Sequence, residues 1–176
     1  MKRMQLAHRA FICVTALMFC SASSAWAQQK QKVSYKVTAE NSKYTQRHTI
    51  DVGDEPGHTM TLYEIYRSFP ANAPVINGVK LKETWTRGHN DYVDNNGLST
   101  NYGIYVLENG DKFYTLGSTM GHADAAGKRT TVSISQITSG TGKLSKMKGL
   151  IRSTGVSDGK ANINETQAEI EYWFAN

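Results

Sequence analysis

Apolar residues in this chain recur at every second position in short runs, and no stretch holds the three-to-four spacing that gives a helix its dry face. Val33, Tyr35, Val37 and Ala39 alternate with Ser34, Lys36 and Thr38, and Met60 to Arg67 forms a second run. Val79, Leu81, Glu83 and Trp85 alternate with Lys80, Lys82, Thr84 and Thr86, while Tyr102, Ile104 and Val106 alternate with Gly103 and Tyr105. Lys112 to Leu116 follows Glu108-Asn109-Gly110-Asp111, where Asn-Gly favours a tight hairpin because both residues accept a positive φ. Thr130 to Gln136, Leu150 to Thr154 and Thr166 to Phe174 complete the set, with Gly, Asn, Asp and Pro clusters between runs. The pattern predicts about eight strands, most with one apolar and one polar face. An antiparallel sheet with one dry face closes naturally into a small barrel or sandwich. The expected fold is therefore all-β, a single antiparallel eight-stranded β-barrel, whose interior is either filled or holds one small ligand.

The start of the chain has a different character. Lys2, Arg3 and Arg9 precede an apolar run from Ala10 to Cys20, small residues lead to Ala25-Trp26-Ala27, and no acid occurs before Glu40. That order of basic, apolar and small residues is the order of a cleaved secretory signal. The apolar run is well short of the roughly 20 residues that span a bilayer. Phe19 stands where a lipid-anchored Cys20 would need a small residue. The expectation is a signal peptide over residues 1–27 and a β-barrel domain over residues 28–176, periplasmic or secreted, with no membrane insertion after cleavage.

Export changes the chemistry left to the chain. The signal takes 3 of the 20 Lys and Arg and none of the 15 Asp and Glu, so 17 bases face 15 acids and the net charge falls from +5 to +2. A basic balance that belongs largely to the targeting segment gives no reason to expect nucleic acid as a partner. Cys13 and Cys20 both lie in the signal, so the exported chain has no disulfide, thiol nucleophile or cysteine metal site. Its core alone must hold it together.

Carboxylates on otherwise apolar faces are the first candidate chemistry. Glu83 shares an alternation with Val79, Leu81 and Trp85, and Glu64 with Met60, Leu62 and Tyr66. A carboxylate inside a barrel must be paired or hydrogen-bonded, and desolvation raises its pKa towards values useful in acid–base work. A bulge or register shift would instead turn each outward. Tyr35, Tyr66, Tyr102 and Trp85 stand out in an aromatic set that also holds Tyr63, Tyr92, Tyr105 and Tyr114. Inside a barrel such rings give apolar surface and a polar tip that orients a ligand; elsewhere they are ordinary strand packing. His48, His58, His89 and His122 have no spacing that converges on a metal. The segment around His89-Asn90-Asp91 reads as a polar loop. No nucleotide or phosphate fingerprint occurs, and neither a metal nor a cofactor is expected.

The segment from Ile137 to Gly149 is the most distinctive. Gly140 and Gly142 bracket Thr141, Leu144 and Met147 follow, and Gly149 opens the next run. It is similar to the Gly-Gly-Thr/Ser-Gly-x-apolar-x-Gly turn of the allene oxide cyclase and dirigent barrels and of related bacterial barrels. Leu62-Tyr63-Glu64-Ile65 resembles the first-strand Val-Tyr-Glu-Ile of the cyclases, whose glutamate faces the cavity and takes part in cyclisation. The resemblance implies a catalytic role for Glu64, beside Tyr66 where the cyclases carry asparagine. It also allows a homo-oligomer, dimer or trimer.

Together these readings give an exported barrel of the allene oxide cyclase or lipocalin kind, holding a small apolar or aromatic molecule. Glu64 is the candidate catalytic residue; Tyr35, Tyr66, Glu83, Trp85 and Tyr102 are the candidate ligand contacts. A cofactor-free isomerase or cyclase, a non-catalytic carrier, and a structural envelope protein with a filled barrel remain open at this point.

Overall fold

The alternating runs become antiparallel strands in the computed structural model, which describes residues 29–158 and 163–176. The expected signal, residues 1–27, lies outside the described residues. The strands are β1 (Gln31–Val37), β2 (Ser42–Asp51), β3 (His58–Ser68), β4 (Val75–Ile76), β5 (Val79–Val93), β6 (Asn96–Leu107), β7 (Lys112–Ala123), β8 (Arg129–Gly140), β9 (Met147–Asp158) and β10 (Ile163–Phe174). Three-residue 3-10 turns at Ala39–Asn41 and Gly142–Leu144 are the described helical pieces. Among the described residues, no helix is long and apolar enough to cross a membrane.

All the strands but one lie on a single path, β1-β10-β9-β8-β7-β6-β5-β3-β2, with β4 paired to β5 alone. Every ladder is antiparallel. The path therefore ends on β1 and β2, consecutive strands joined by the turn at Ala39–Asn41, and no ladder joins those two ends among the described residues. The sheet is all-β and antiparallel as expected. It differs from a closed eight-stranded barrel by the seam and by one strand more in its path. The additional long strand is β2, whose sequence Ser-Lys-Tyr-Thr-Gln-Arg-His-Thr-Ile-Asp is polar apart from Tyr44 and Ile50 and exposed over nearly its whole length. An edge strand with little to bury carries no binary signal.

The inward face is divided along the strand axes. At one end Ile76, Leu81, Leu107, Phe113, Ile137, Leu144, Met147, Ile170 and Tyr172 form a fully buried cluster. Burial of each such side chain contributes roughly 1.5–3 kcal/mol. The 144–147 turn tucks Leu144 and Met147 into it. Tyr172 is buried there with its hydroxyl satisfied on both sides: it donates to Gln31 Oε1 at 2.6 Å and accepts from the Asn77 backbone N–H at 2.9 Å. Towards the other end the inward positions turn polar. Thr84, Thr115, Ser99, Asn101 and Thr61 are all buried.

That division corrects two readings of strand extent and face. β5 continues to Val93, so the segment around His89 is strand and not loop; Gly88, Asn90 and Tyr92 are its inward positions there. In β8 the apolar Val132 and Ile134 point out, while Thr131, Ser133 and Ser135 face in. With Leu98 and Tyr102 of β6 and Leu116 and Met120 of β7, they make an exposed apolar sector on the outer face. Cross-strand register joins it, since Leu98 lies opposite Met120, Met120 opposite Val132, and Tyr102 opposite Leu116.

Candidate functional site

The polar end of the sheet surrounds a cavity of about 190 Å3. Residues from both ends of the strand path line it, including Tyr35 and Val37 of β1 and Ser42 and Tyr44 of β2. It widens into an open mouth of about 560 Å3 that shares Tyr63, Asn90, Tyr92 and Arg129 with the inner space. Interior glycines make this room. A Cβ on Gly88 would stand 2.8 Å from the Tyr63 hydroxyl, and one on Gly121 would stand 3.1 Å from both the Tyr92 hydroxyl and Arg129 Nε.

Hydroxyls dominate the walls. Asn101 Nδ2 donates to Thr119 Oγ1 at 3.2 Å, and that hydroxyl shares a 2.8 Å bond with Ser133, so one polar chain crosses β6, β7 and β8. Tyr63 and Ser99 share another bond of 2.8 Å, and Ser99 Oγ donates to the His89 carbonyl. Arg129 Nη2 donates to the Tyr92 hydroxyl at 2.6 Å with its guanidinium 4.6 Å from the centre of the same ring. Two buried polar atoms of this region have no hydrogen-bond partner: Arg129 Nε and Asn90 Oδ1. Buried groups of that kind are rare and call for an explanation. Burial pushes the Tyr63 and Tyr92 hydroxyls up from their ordinary pKa, with Arg129 partly opposing the shift at Tyr92. Deeper down, burial and then the neighbouring Tyr105 push Tyr35 well up. Tyr35 packs edge-on to Phe69, and Tyr105 stacks on Phe113.

Of the six residues singled out from sequence, Tyr35 alone lines this cavity. Glu64, Tyr66, Glu83, Trp85 and Tyr102 gather on the outer face instead. The alternation of Glu64 with Met60 and Leu62 was read correctly, but that is the solvent side, where Met60 is 40% and Leu62 65% exposed. Thr61, Tyr63, Ile65 and Arg67 are the inward positions of β3. Glu83 and Trp85 are turned out by a bulge: Leu81 pairs with Leu107 and Glu83 with Val106, so Lys82 is an extra residue and the parity flips.

The outer group is tightly knit. Glu64 accepts from Arg87 Nε at 2.6 Å and from Thr45 Oγ1 at 2.6 Å, and Thr45 is aimed at it by a bulge between Tyr44 and Gln46. The expected raised pKa is reversed: the Thr45 hydroxyl, and then the Arg87 guanidinium, hold the Glu64 carboxyl below its usual range despite partial desolvation. The Tyr66 and Trp85 rings lie 4.8 Å apart, with Lys43 over Tyr66 and Arg87 over Trp85. Trp85 Nε1 donates to Glu83 Oε1 at 3.2 Å. Glu64 is thus an ion-paired carboxylate on the outer face, largely covered by its partners and absent from the cavity lining.

Sequence reasoning missed Arg129, Asn90 and Ser99 as site residues. Their signal was present only as period-two spacing of polar residues, Arg129-Thr131-Ser133-Ser135 in β8 and Asn90-Tyr92 in β5. A rule that places apolar residues inside selects the opposite face of β8, and the β5 pair falls in the segment that reads as a polar loop. Elsewhere, Asp54, Glu55 and His58 offer oxygen and nitrogen atoms within 4.8 Å of one another. There the His58 ring bridges Asp54 and Asp91, at 2.5 and 2.6 Å, and fastens the β2–β3 turn to β5. A scan against protein-family models finds no match for this chain, and a search of curated proteins finds none either.

Proposed function

We propose that this chain is an exported, barrel-like binding protein that holds one small molecule in the polar end of its curled sheet. The observation that carries this reading is the cavity itself. Strands from the whole path line it with tyrosine rings and hydroxyls, and it opens through a broad mouth at one end. Polar groups that converge from several strands on one space are what orient a small ligand. The lining favours an aromatic ligand with polar substituents over a purely apolar one.

A carrier fits better than a cyclase. The carboxylate that the resemblance assigned to catalysis lies on the outer face, paired to Arg87. The described cavity wall offers mainly hydroxyls, amides and arginines, which bind and orient, and its carboxylate, Glu165, is paired to Lys36. The barrel architecture of the allene oxide cyclase kind belongs to the same proposal, with the β1–β2 seam as the point of departure. The exposed apolar sector of β6, β7 and β8 favours self-association, since contiguous patches of that kind commonly mark protein contacts. Outward Lys148, Arg152, Glu169 and Glu171 on β9 and β10 break any apolar belt round the sheet, which supports the reading without membrane insertion. Native mass spectrometry of protein purified from its own host tests the proposal. A retained small molecule, lost on Asn101→Leu or Ser133→Leu, is the expected result; a stoichiometrically empty protein that binds no member of a small-molecule panel overturns it.

A further inference from the structure

Arg129 is the point where the cavity's chemistry is unfinished. Its guanidinium enters from the start of β8, rests on the Tyr92 ring and uses one Nη2 proton on the Tyr92 hydroxyl. Its Nε is buried and has no partner. Gly121, on the neighbouring strand, leaves just enough space for this arrangement, because any side chain there would press on Arg129 Nε and the Tyr92 hydroxyl. A buried N–H of a permanent cation is a strong donor, and leaving it unmade is costly. The Nε edge of a guanidinium, with the Nη on the same side, is shaped for two parallel bonds to a carboxylate.

The surrounding charges agree. Arg67 also lines the cavity, with Nη1 donating to Thr86 Oγ1 at 3.0 Å, and Arg47 stands at the mouth over the Tyr44 ring. Of the acids on the lining, Glu165 is bonded to Lys36 at 2.8 Å, and Asp158 at the rim has interactions of its own. The second unmade bond is of the opposite kind, since Asn90 Oδ1 is a buried acceptor. Asn90 lies two residues before Tyr92 on the inward face of β5, so the donor edge and the acceptor belong to one region of the wall. The inner space of about 190 Å3 is smaller than a drug-sized pocket and suits a single substituted ring.

Resting on the cavity reading above, we propose that the ligand class is a small hydroxylated aromatic carboxylate. Its carboxylate sits on the Nε edge of Arg129, and its hydroxyl donates to Asn90 Oδ1 between the Tyr63 and Tyr92 rings. The step is binding alone, and no bond is made or broken.

Calorimetric titration of the wild-type protein with 4-hydroxybenzoate and with its neutral isostere 4-hydroxybenzamide tests the assignment. The acid should bind roughly tenfold or more tightly than the amide, the value of a charge-assisted bond over a neutral one. Arg129→Gln should erase that preference, and Arg129→Lys, which keeps the charge and loses the fork, should retain only part of it. Equal binding of the two probes, or tighter binding of the amide, overturns the carboxylate assignment and leaves the cavity reading standing. Failure of both probes also overturns the assignment. Native mass spectrometry then decides the cavity reading separately, since a retained neutral molecule preserves it and an empty protein removes it. The comparison of probes on the wild-type chain stands whether or not the arginine variants fold.

Discussion

Tyr92 holds Arg129 in two ways at once, accepting a 2.6 Å hydrogen bond at its hydroxyl and presenting its ring face 4.6 Å from the guanidinium. Tyr92→Phe keeps the ring and removes the acceptor, so it separates the two. Loss of a bond to a partly buried cation should lower stability by about 1–3 kcal/mol, read as a fall in the thermal midpoint. An unchanged midpoint would show that water replaces the hydroxyl freely and that this end of the sheet is wetter than its burial suggests.

Glu64 should behave as a paired carboxylate. Its pKa is held below the ordinary value first by Thr45 and then by Arg87. A depressed folded pKa means stabilisation that is present above the unfolded value, roughly 4.3, and is lost as pH falls through the folded one. Carbon-detected NMR titration of the Glu64 side chain reads this directly. Glu64→Gln should leave cavity binding unchanged, and a large loss of affinity would place the carboxylate in the ligand's path after all.

His58 gives the opposite pH dependence. Its bond to Asp91, and next its bond to Asp54, raise its pKa above the ordinary value. The added stability is complete below the unfolded pKa, roughly 6.5, and disappears as pH rises through the folded value. The difference in thermal midpoint between wild type and His58→Gln should therefore be widest in mild acid and shrink in alkali. A difference independent of pH would mean that the ring acts by packing alone.

Gly142 is required by its backbone. Its φ is +51°, and a Cβ there would also run into the Asp111 carboxylate. That carboxylate accepts from the Lys143 N–H and ties the β8–β9 turn to the β6–β7 hairpin. Gly142→Val should lower stability by about 1 kcal/mol or more, with circular dichroism still showing sheet. A variant as stable as wild type would show that the turn relaxes without strain.

The legible part of the fold is the part that excludes water. Leu81, Leu107, Phe113, Ile137, Ile170 and Tyr172 sit at the apolar end of their strands, and alternation predicted the strands and the inward face of Leu81, Ile170 and Tyr172, while Leu107 and Ile137 lie on the face opposite to the one it selected. Beyond them the inward positions are Ser99, Asn101, Ser133 and Thr131, and the outward ones include Leu98, Val132 and Ile134. Hydrophobic patterning reads such a strand inside out, which is why Tyr102 was placed within and Arg129 was passed over. One inserted residue at Lys82 did the same to Glu83 and Trp85. The cavity residues are hidden for a physical reason, because a polar interior does not obey the rule by which apolar residues define an inside.

The division of each strand into an apolar and a polar length has a consequence for how this molecule can change over generations. On β8, Ile137 belongs to the sealed cluster, while Ser133 and Thr131 face the cavity a few residues away. On the proposed binding role, substitutions at the second pair would alter what is bound without opening a void in the first. If the proposed binding role holds, stability and selectivity are carried by different lengths of the same strands, and a lineage could retune its ligand while its melting point stays nearly still.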